Sequence, residues 1–195
     1  MIPGKTPFRR ELANHRRRAV ASVEFAVCLP LLVLLLLGLW EVGRITEVQN
    51  VATNGAREAA RDASMGQTNL LGVANNLLIY LQGAEPTAFG QGHSTSMIAP
   101  VVTLPANTYG YTCWDNTDNV ELFTMTFADL TNNTVTDPTG MAQLDRYIIG
   151  VQVPYGSVGW LPVPTVTGLT RLYCSQQWVA MVDTPFSIAP DLPAQ

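Results

Sequence analysis

The sequence has few charged residues and few of the side chains on which enzyme chemistry depends. Only 13% of its 195 residues are Asp, Glu, Lys or Arg, against about 25% in ordinary soluble domains. With 47% apolar residues, this composition excludes a disordered chain and a nucleic-acid-binding protein. The sequence has only two histidines, His15 and His93, and it has no G-x-S-x-G, H-E-x-x-H or Walker A motif. It therefore supports no enzyme class. We therefore expect a non-enzymatic protein without cofactor or metal ion.

The few charges are divided unevenly between the two ends of the chain. Residues 1–18 contain six Lys and Arg residues against Glu11 alone, a net charge of +5. Residues 19–195 contain five Arg and fourteen Asp or Glu, a net charge of −9. Positive charge stays on the cytoplasmic side of single-pass membrane proteins. We therefore expect residues 1–18 to form a basic cytoplasmic arm and residues 41–195 to lie outside the membrane.

A long apolar run follows the basic arm, at residues 19–40 (AVASVEFAVCLPLLVLLLLGLW). As a helix it would extend over about 33 Å, enough for a hydrocarbon core about 30 Å thick. We expect an uncleaved transmembrane helix that serves as a signal anchor. A cleaved signal peptide is the alternative, but no A-x-A cleavage site follows the run. Pro30 predicts a kink or a packed neighbour within the span.

Glu24 stands inside this apolar run. An acid at the centre of a span costs about 2.5–3.5 kcal/mol to insert. In one interpretation Glu24 stays hydrated at the cytoplasmic interface beside Arg17 and Arg18. In the other, it pairs within the bilayer with the terminus or a basic group of another chain, so that Glu24 and Phe25 are membrane-embedded docking residues.

The segment RRRAVASVEFAVCLPLLVLLLLGLWEVGRI, continuing into VATNGAREAARDAS, resembles the short module of the TadE-like proteins of bacterial tight-adherence (Flp-type) pilus systems. The features occur in the family's order: a basic cluster, small residues, a Val-Glu-Phe triplet, a Leu-rich span with a proline, the exit Glu41–Gly43, and the helix Ala56–Arg61. The resemblance covers roughly residues 16–64, and an ordered run of features is more specific than any one of them.

The resemblance implies a membrane-anchored assembly component of a pilus or related secretion apparatus, similar to a minor pilin or pseudopilin. It would lie in the bacterial inner membrane, or at the cell surface if it enters the filament. Its partners would be the lipid bilayer and the pilus or secretion subunits, contacted through the N-terminal helix. The alternative function is a membrane-tethered extracytoplasmic binding module, in which the span is only a tether.

The resemblance also implies a processing site. Members similar to type IV prepilins are cut by a prepilin peptidase, which here would act between Ala19 and Val20 and leave Glu24 at the fifth mature position. Because Ala19 stands where the family usually has Gly, we expect the chain to remain intact.

Residues 41–83 are expected to form two extracytoplasmic helices. Small and apolar residues from Val42 to Ala63 recur every three or four positions and predict an amphipathic helix that ends near Gly66. Its narrow, Ala-rich stripe packs either on the chain's own outer domain or on a partner. A second helix is predicted over Asn69–Gln82, closed by Gly83.

The sequence pattern of residues 84–182 is typical of β-strands and predicts a β-rich domain. Residues 183–195 are predicted to be a C-terminal tail. Runs of β-branched and aromatic residues predict four antiparallel strands: Met97–Leu104, Val120–Phe127, Tyr147–Pro154 and Leu169–Ala180. Residues 156–168 are predicted to be a loop. The whole is an α+β fold, in which the second helix covers one layer of sheet.

Three further features of the predicted domain at residues 84–182 lead to predictions. Cys113 and Cys174 are expected to form a disulfide, because both fall on the oxidising side of the membrane; two buried thiols are the alternative. His93 is interpreted as a solvated loop residue. The run DNTDN, residues 115–119, is interpreted as a solvated turn, with a calcium site as the alternative.

Overall fold

The computed structural model describes residues 8–99, 108–131, 135–158 and 170–182, with side chains from residue 22 onward. The helices there are α1 (Phe8–Ser64), α2 (Leu70–Ala84) and the short α3 (Tyr155–Val158), with a 3-10 turn at Pro138–Gly140. The strands are β1 (Thr95–Ile98), β2 (Thr108–Asp115), β3 (Val120–Asp129), β4 (Arg146–Pro154) and β5 (Arg171–Val179). The chain divides into two compact units, Met1–Arg44 and Ile45–Gln195.

The first unit contains the N-terminal part of helix α1. From Ser22 onward, this helix includes an 18-residue window with a mean hydropathy of 2.4, and none of that window is buried. Within the described residues it is the one helix long and apolar enough to cross a membrane. Pro30 lies inside the helix, where its ring removes a backbone donor.

The second unit is built on a five-stranded antiparallel sheet. Its strands follow chain order, β1-β2-β3-β4-β5, so each strand pairs with the one before it. Strand β4 shows the alternation most clearly: Tyr147, Ile149, Val151 and Val153 are fully buried. The expected α+β fold with an antiparallel sheet is therefore confirmed, and the second unit shares one hydrophobic core.

Two helical segments contribute to this core. The part of helix α1 that belongs to the second unit buries a stripe of small residues: Val48, Ala52, Ala56, Ala59, Ala60 and Ala63. Helix α2 buries a Leu-rich stripe, and Asn69 caps it by accepting a hydrogen bond from the Gly72 amide. Helix α1 ends where Gly66 adopts a φ of 63°, as the sequence predicted.

Strand β2 was not predicted from the sequence. It contains Gly110, and a Cβ there would lie 2.2 Å from the carbonyl oxygen of Met125 on β3. Glycine is required by this close approach of two strands, yet in the sequence it weakens the strand pattern. The other strands overlap their predicted positions. Residues 156–158, which were predicted to begin a loop, belong to helix α3 instead. The remainder of that loop, the predicted strand residues 100–104 and 169, and the 183–195 tail lie outside the described residues.

Candidate functional site

The apolar surface of the first unit is exposed around the whole helix. The large apolar side chains from Val23 to Trp40 expose between 42% and 72% of their area, including 61% for Phe25. A helix that is apolar on all sides requires lipid or protein around it. This surface therefore has the properties of a membrane-spanning segment.

Glu24 is the one Asp, Glu, Lys or Arg within residues 19–40. Like Phe25, it is exposed on helix α1. Ala19 and Val20 lie within the same helix, whose described backbone begins at Phe8. Docking through Glu24 and Phe25, and cleavage between Ala19 and Val20, stay predictions.

The Ala-rich stripe of helix α1 packs on the chain's own domain. The Tyr147 hydroxyl on β4 donates a hydrogen bond of 2.5 Å to the carbonyl oxygen of Ala60. Thr53 Oγ1 lies 3.3 Å from Cys174 Sγ on β5. Small side chains let the helix approach the sheet this closely. Of the two alternatives for the stripe, the structure shows the packed one over the residues from Val48 to Ala63.

The sequence AREAAR at residues 56–61 is explained by this packing. Its alanines, Ala56, Ala59 and Ala60, are buried, and its charged residues face outward. Arg61 forms an ion pair with Glu58 one turn earlier. That pair is about half exposed, so it contributes little to stability. The motif therefore combines a flat packing surface with a charged outer face.

The expected disulfide between Cys113 and Cys174 is not formed; both cysteines are free and buried. Cys113 lies on β2 and Cys174 on β5, with β3 and β4 between them. Three inter-strand spacings amount to about 14 Å, whereas the Cα atoms of a disulfide lie within about 7 Å. The prediction was wrong because the sequence does not reveal which strands are neighbours.

A small cleft lies beside the turn between β2 and β3. The solvated turn was predicted over residues 115–119, and the structure has the turn at 116–119, where Asn119 has a φ of 54°. The prediction was wrong for Asp115, which is the last residue of β2 and is buried. The cleft has a volume of about 160 Å³ and is lined by residues that include His93, Asp115, Asp118 and Ser157. His93 stands on the loop after helix α2, as predicted, but its ring is only partly exposed.

His93 and Asp115 form an ion pair across this cleft. His93 Nδ1 lies 2.5 Å from Asp115 Oδ2 and 3.7 Å from Asp118 Oδ2. The hydrogen bond to Asp115 and its negative charge raise the pKa of His93, and the His93 hydrogen bond lowers the pKa of Asp115. This pair was not predicted from the sequence, because 22 residues separate its members and no local pattern links them.

The described residues thus place the protein in a structural class, that of chains with one helix long enough to cross a membrane and a small α+β domain. Residues 19–61 match the family model of TadE-like proteins. The resemblance seen in the sequence is thereby confirmed over this segment. Comparison with curated proteins and with solved structures gave no match.

Proposed function

We propose that the protein is a membrane-anchored structural and assembly component of a tight-adherence-type pilus or a related secretion apparatus. The match of residues 19–61 to the TadE-like family carries this proposal. The matched segment includes both the membrane-length apolar run with Glu24 and the AREAAR helix that packs in the domain. In this role the protein acts by binding other subunits and catalyses no reaction.

The proposed topology is a single-pass inner-membrane protein with its N terminus in the cytoplasm. Support comes from the net charge of +5 in residues 1–18, directly before the apolar run. The α+β domain then lies outside the cytoplasm, where it is displayed to the pilus or to the cell surface. The N-terminal helix contacts lipid and the other pilus or secretion subunits. No nucleic acid takes part.

Glu24 is the proposed docking residue, with Phe25 beside it. A carboxylate inside an apolar span is expensive unless it has a partner. A basic group or an N-terminal amine of a neighbouring subunit would supply the opposite charge and hydrogen-bond donors. A span that served only as a tether would gain nothing from this residue.

Copurification from detergent tests the proposal. Glu24→Gln keeps the size of the side chain but removes its charge, and Glu24→Leu also makes insertion easier. We expect both variants to insert and accumulate normally and to lose recovery of the pilus or platform subunits. Cys28→Ala, one turn further along the same helix, is the matched control and should keep full recovery.

The result that contradicts the proposal is equal recovery of partners with wild type and both Glu24 variants. Glu24 would then be a hydrated residue at the interface. Such a result would favour a membrane-tethered extracytoplasmic binding module, whose partners are bound by the outer domain.

A further inference from the structure

The cleft beside the β2–β3 turn brings three metal-ligating side chains together. One ligand atom each from His93, Asp115 and Asp118 lies within 4.8 Å of the other two. His93 comes from the loop after helix α2, whereas both aspartates belong to the β2–β3 hairpin. The cluster is therefore created by tertiary structure and not by one local turn.

Asp115 is a buried, fixed carboxylate. Its side chain is only 4% exposed. Asp115 Oδ1 accepts hydrogen bonds from the amides of Thr117, at 2.8 Å, and Asp118, at 3.4 Å. These bonds hold the carboxylate in place, so that Oδ2 is directed toward His93. A carboxylate held in this manner needs no reorganisation to bind a cation.

The charge around the cleft is negative. Among the described residues that line it, there are two aspartates, one histidine and no lysine or arginine. Burial of a carboxylate is costly unless positive charge compensates it. His93 alone can offset at most one of the two negative charges, so the cleft retains an attraction for a further cation.

Gly90 opens the space above Asp115. Its φ is +60°, and a Cβ at this position would lie 3.0 Å from Asp115 Oδ2. Any larger residue would therefore crowd the oxygen that faces the cleft. Gly92, two residues on, has a φ of +84° and open space around it, so the His93 segment contains two glycines where its backbone turns.

We propose that His93, Asp115 and Asp118 bind a divalent transition-metal ion of the zinc class, with water as the fourth ligand. One imidazole and two carboxylates suit zinc, whereas calcium takes six to eight oxygen ligands. Zinc bonds of about 2.0–2.2 Å in a tetrahedron set the ligand atoms roughly 3.3 Å apart. His93 Nδ1 lies 3.7 Å from Asp118 Oδ2, which is close to this value. It lies only 2.5 Å from Asp115 Oδ2, so the partly exposed His93 ring must move away from Asp115 when the ion binds.

The bound ion would attach the loop after helix α2 to the β2–β3 hairpin. Existing contacts already hold this loop near its place: the Gln82 side chain donates to the carbonyl oxygen of Phe89, and the Asn116 amide donates to that of Ser94. The metal would add a cross-link between the same two segments. A ligand that binds only the folded state stabilises it by mass action.

Zinc binding by the full-length protein in detergent tests this inference. The chelator-treated protein is dialysed against zinc and its metal content is measured; Co²⁺ then reports the ligand geometry through its visible absorption. We expect one ion per chain, the intense bands of four-coordinate Co²⁺, and a higher unfolding temperature with zinc.

The variants His93→Gln and Asp118→Asn test ligation, and each should weaken zinc binding roughly tenfold or more. Asp118 is 63% exposed, so Asp118→Asn should leave the metal-free unfolding temperature unchanged. His93→Gln also removes the charged partner of the buried Asp115 and should lower that temperature, so its zinc affinity is compared at a temperature where the metal-free variant is folded. The matched controls are His15→Gln, which removes the other histidine of the chain, and Glu47→Gln, an exposed acid on helix α1. Both controls should bind zinc as the wild type does.

Four results would overturn the site, three of them with zinc. They are absence of zinc binding by the wild type at micromolar zinc, equal affinity in wild type and both ligand variants, or loss of binding in the His15→Gln control. Calcium binding that does not depend on His93 would also reject it, in favour of an oxygen-only site in the turn. The inference does not depend on the pilus assignment, because no membrane partner enters the measurement.

Discussion

The hydroxyl of Tyr147 on β4 donates a hydrogen bond to the backbone carbonyl of Ala60 on helix α1, 87 residues away in the sequence. Both residues are fully buried. Burial raises the pKa of the Tyr147 hydroxyl, which therefore stays protonated and remains a donor. This bond joins the family-matched helix to the sheet that the sequence alone does not identify.

Removing this hydroxyl should destabilise the second unit. Tyr147→Phe keeps the ring, which packs 5.6 Å from that of Phe127, but removes the donor to Ala60. We expect a loss of about 1 kcal/mol, and about 3–5 kcal/mol for Tyr147→Ala, which also leaves a cavity. Chemical unfolding of the full-length protein in detergent measures both. Tyr173→Phe, on an exposed tyrosine, should have little effect; equal losses at both sites would contradict this interpretation.

Asp137 should make stability depend on pH. Burial opposes ionisation of its carboxyl group, but hydrogen bonds from the Leu70 and Thr139 amides and the Thr139 hydroxyl outweigh burial and lower its pKa. Because the folded pKa lies below the unfolded one, the stabilisation is present above about pH 4 and is lost as the pH falls through the folded value.

The variant Asp137→Asn tests this dependence. It cannot titrate, so the gap in unfolding temperature between wild type and variant should be largest near neutral pH and should shrink as the solution is acidified. Glu47→Gln, on an exposed acid, serves as the control for general acid effects. A gap that is constant with pH would show that Asp137 does not supply the effect.

Cysteine labelling in intact cells tests the proposed topology. In a Cys28→Ser background, we expect Gln91→Cys to react with a membrane-impermeant thiol reagent and Lys5→Cys to be protected. The native Cys113 should stay silent, because burial raises its pKa to about 12 and its side chain is inaccessible. Labelling at position 5 and not at position 91 would show the opposite orientation, with the N terminus outside the cytoplasm.

Mass measurement of the purified protein tests processing. We expect the intact chain, apart from removal of the initiator methionine, because Ala19 replaces the glycine usual in the family. Ala19→Gly supplies that residue and should be cut before Val20 in cells that contain a prepilin peptidase. A wild-type protein that begins at Val20 would place it in the processed, pilin-like class, and an uncut Ala19→Gly variant would argue against any processing at this position.

Several elements were predictable because their signals are local. The apolar run, the stripe of helix α2 and the turn at residues 116–119 each depend on residues close together in the chain. Strand β2 was not predicted, because Gly110 weakens its strand pattern. The reason for a glycine at this position is the carbonyl group of Met125 on the next strand, which the sequence does not reveal. The disulfide prediction failed for a related reason: two cysteines near strands say nothing about which strands are adjacent.

The sequence by itself determined the membrane-length helix, the family resemblance of residues 16–64 and the change from helices to strands, because hydropathy and periodicity act over neighbouring residues. Only the tertiary structure decided that the Ala stripe is buried in the chain's own domain, that two strands separate Cys113 from Cys174, and that His93 meets Asp115. These facts depend on strand order and on close approach between distant segments, and no short stretch of sequence encodes either one.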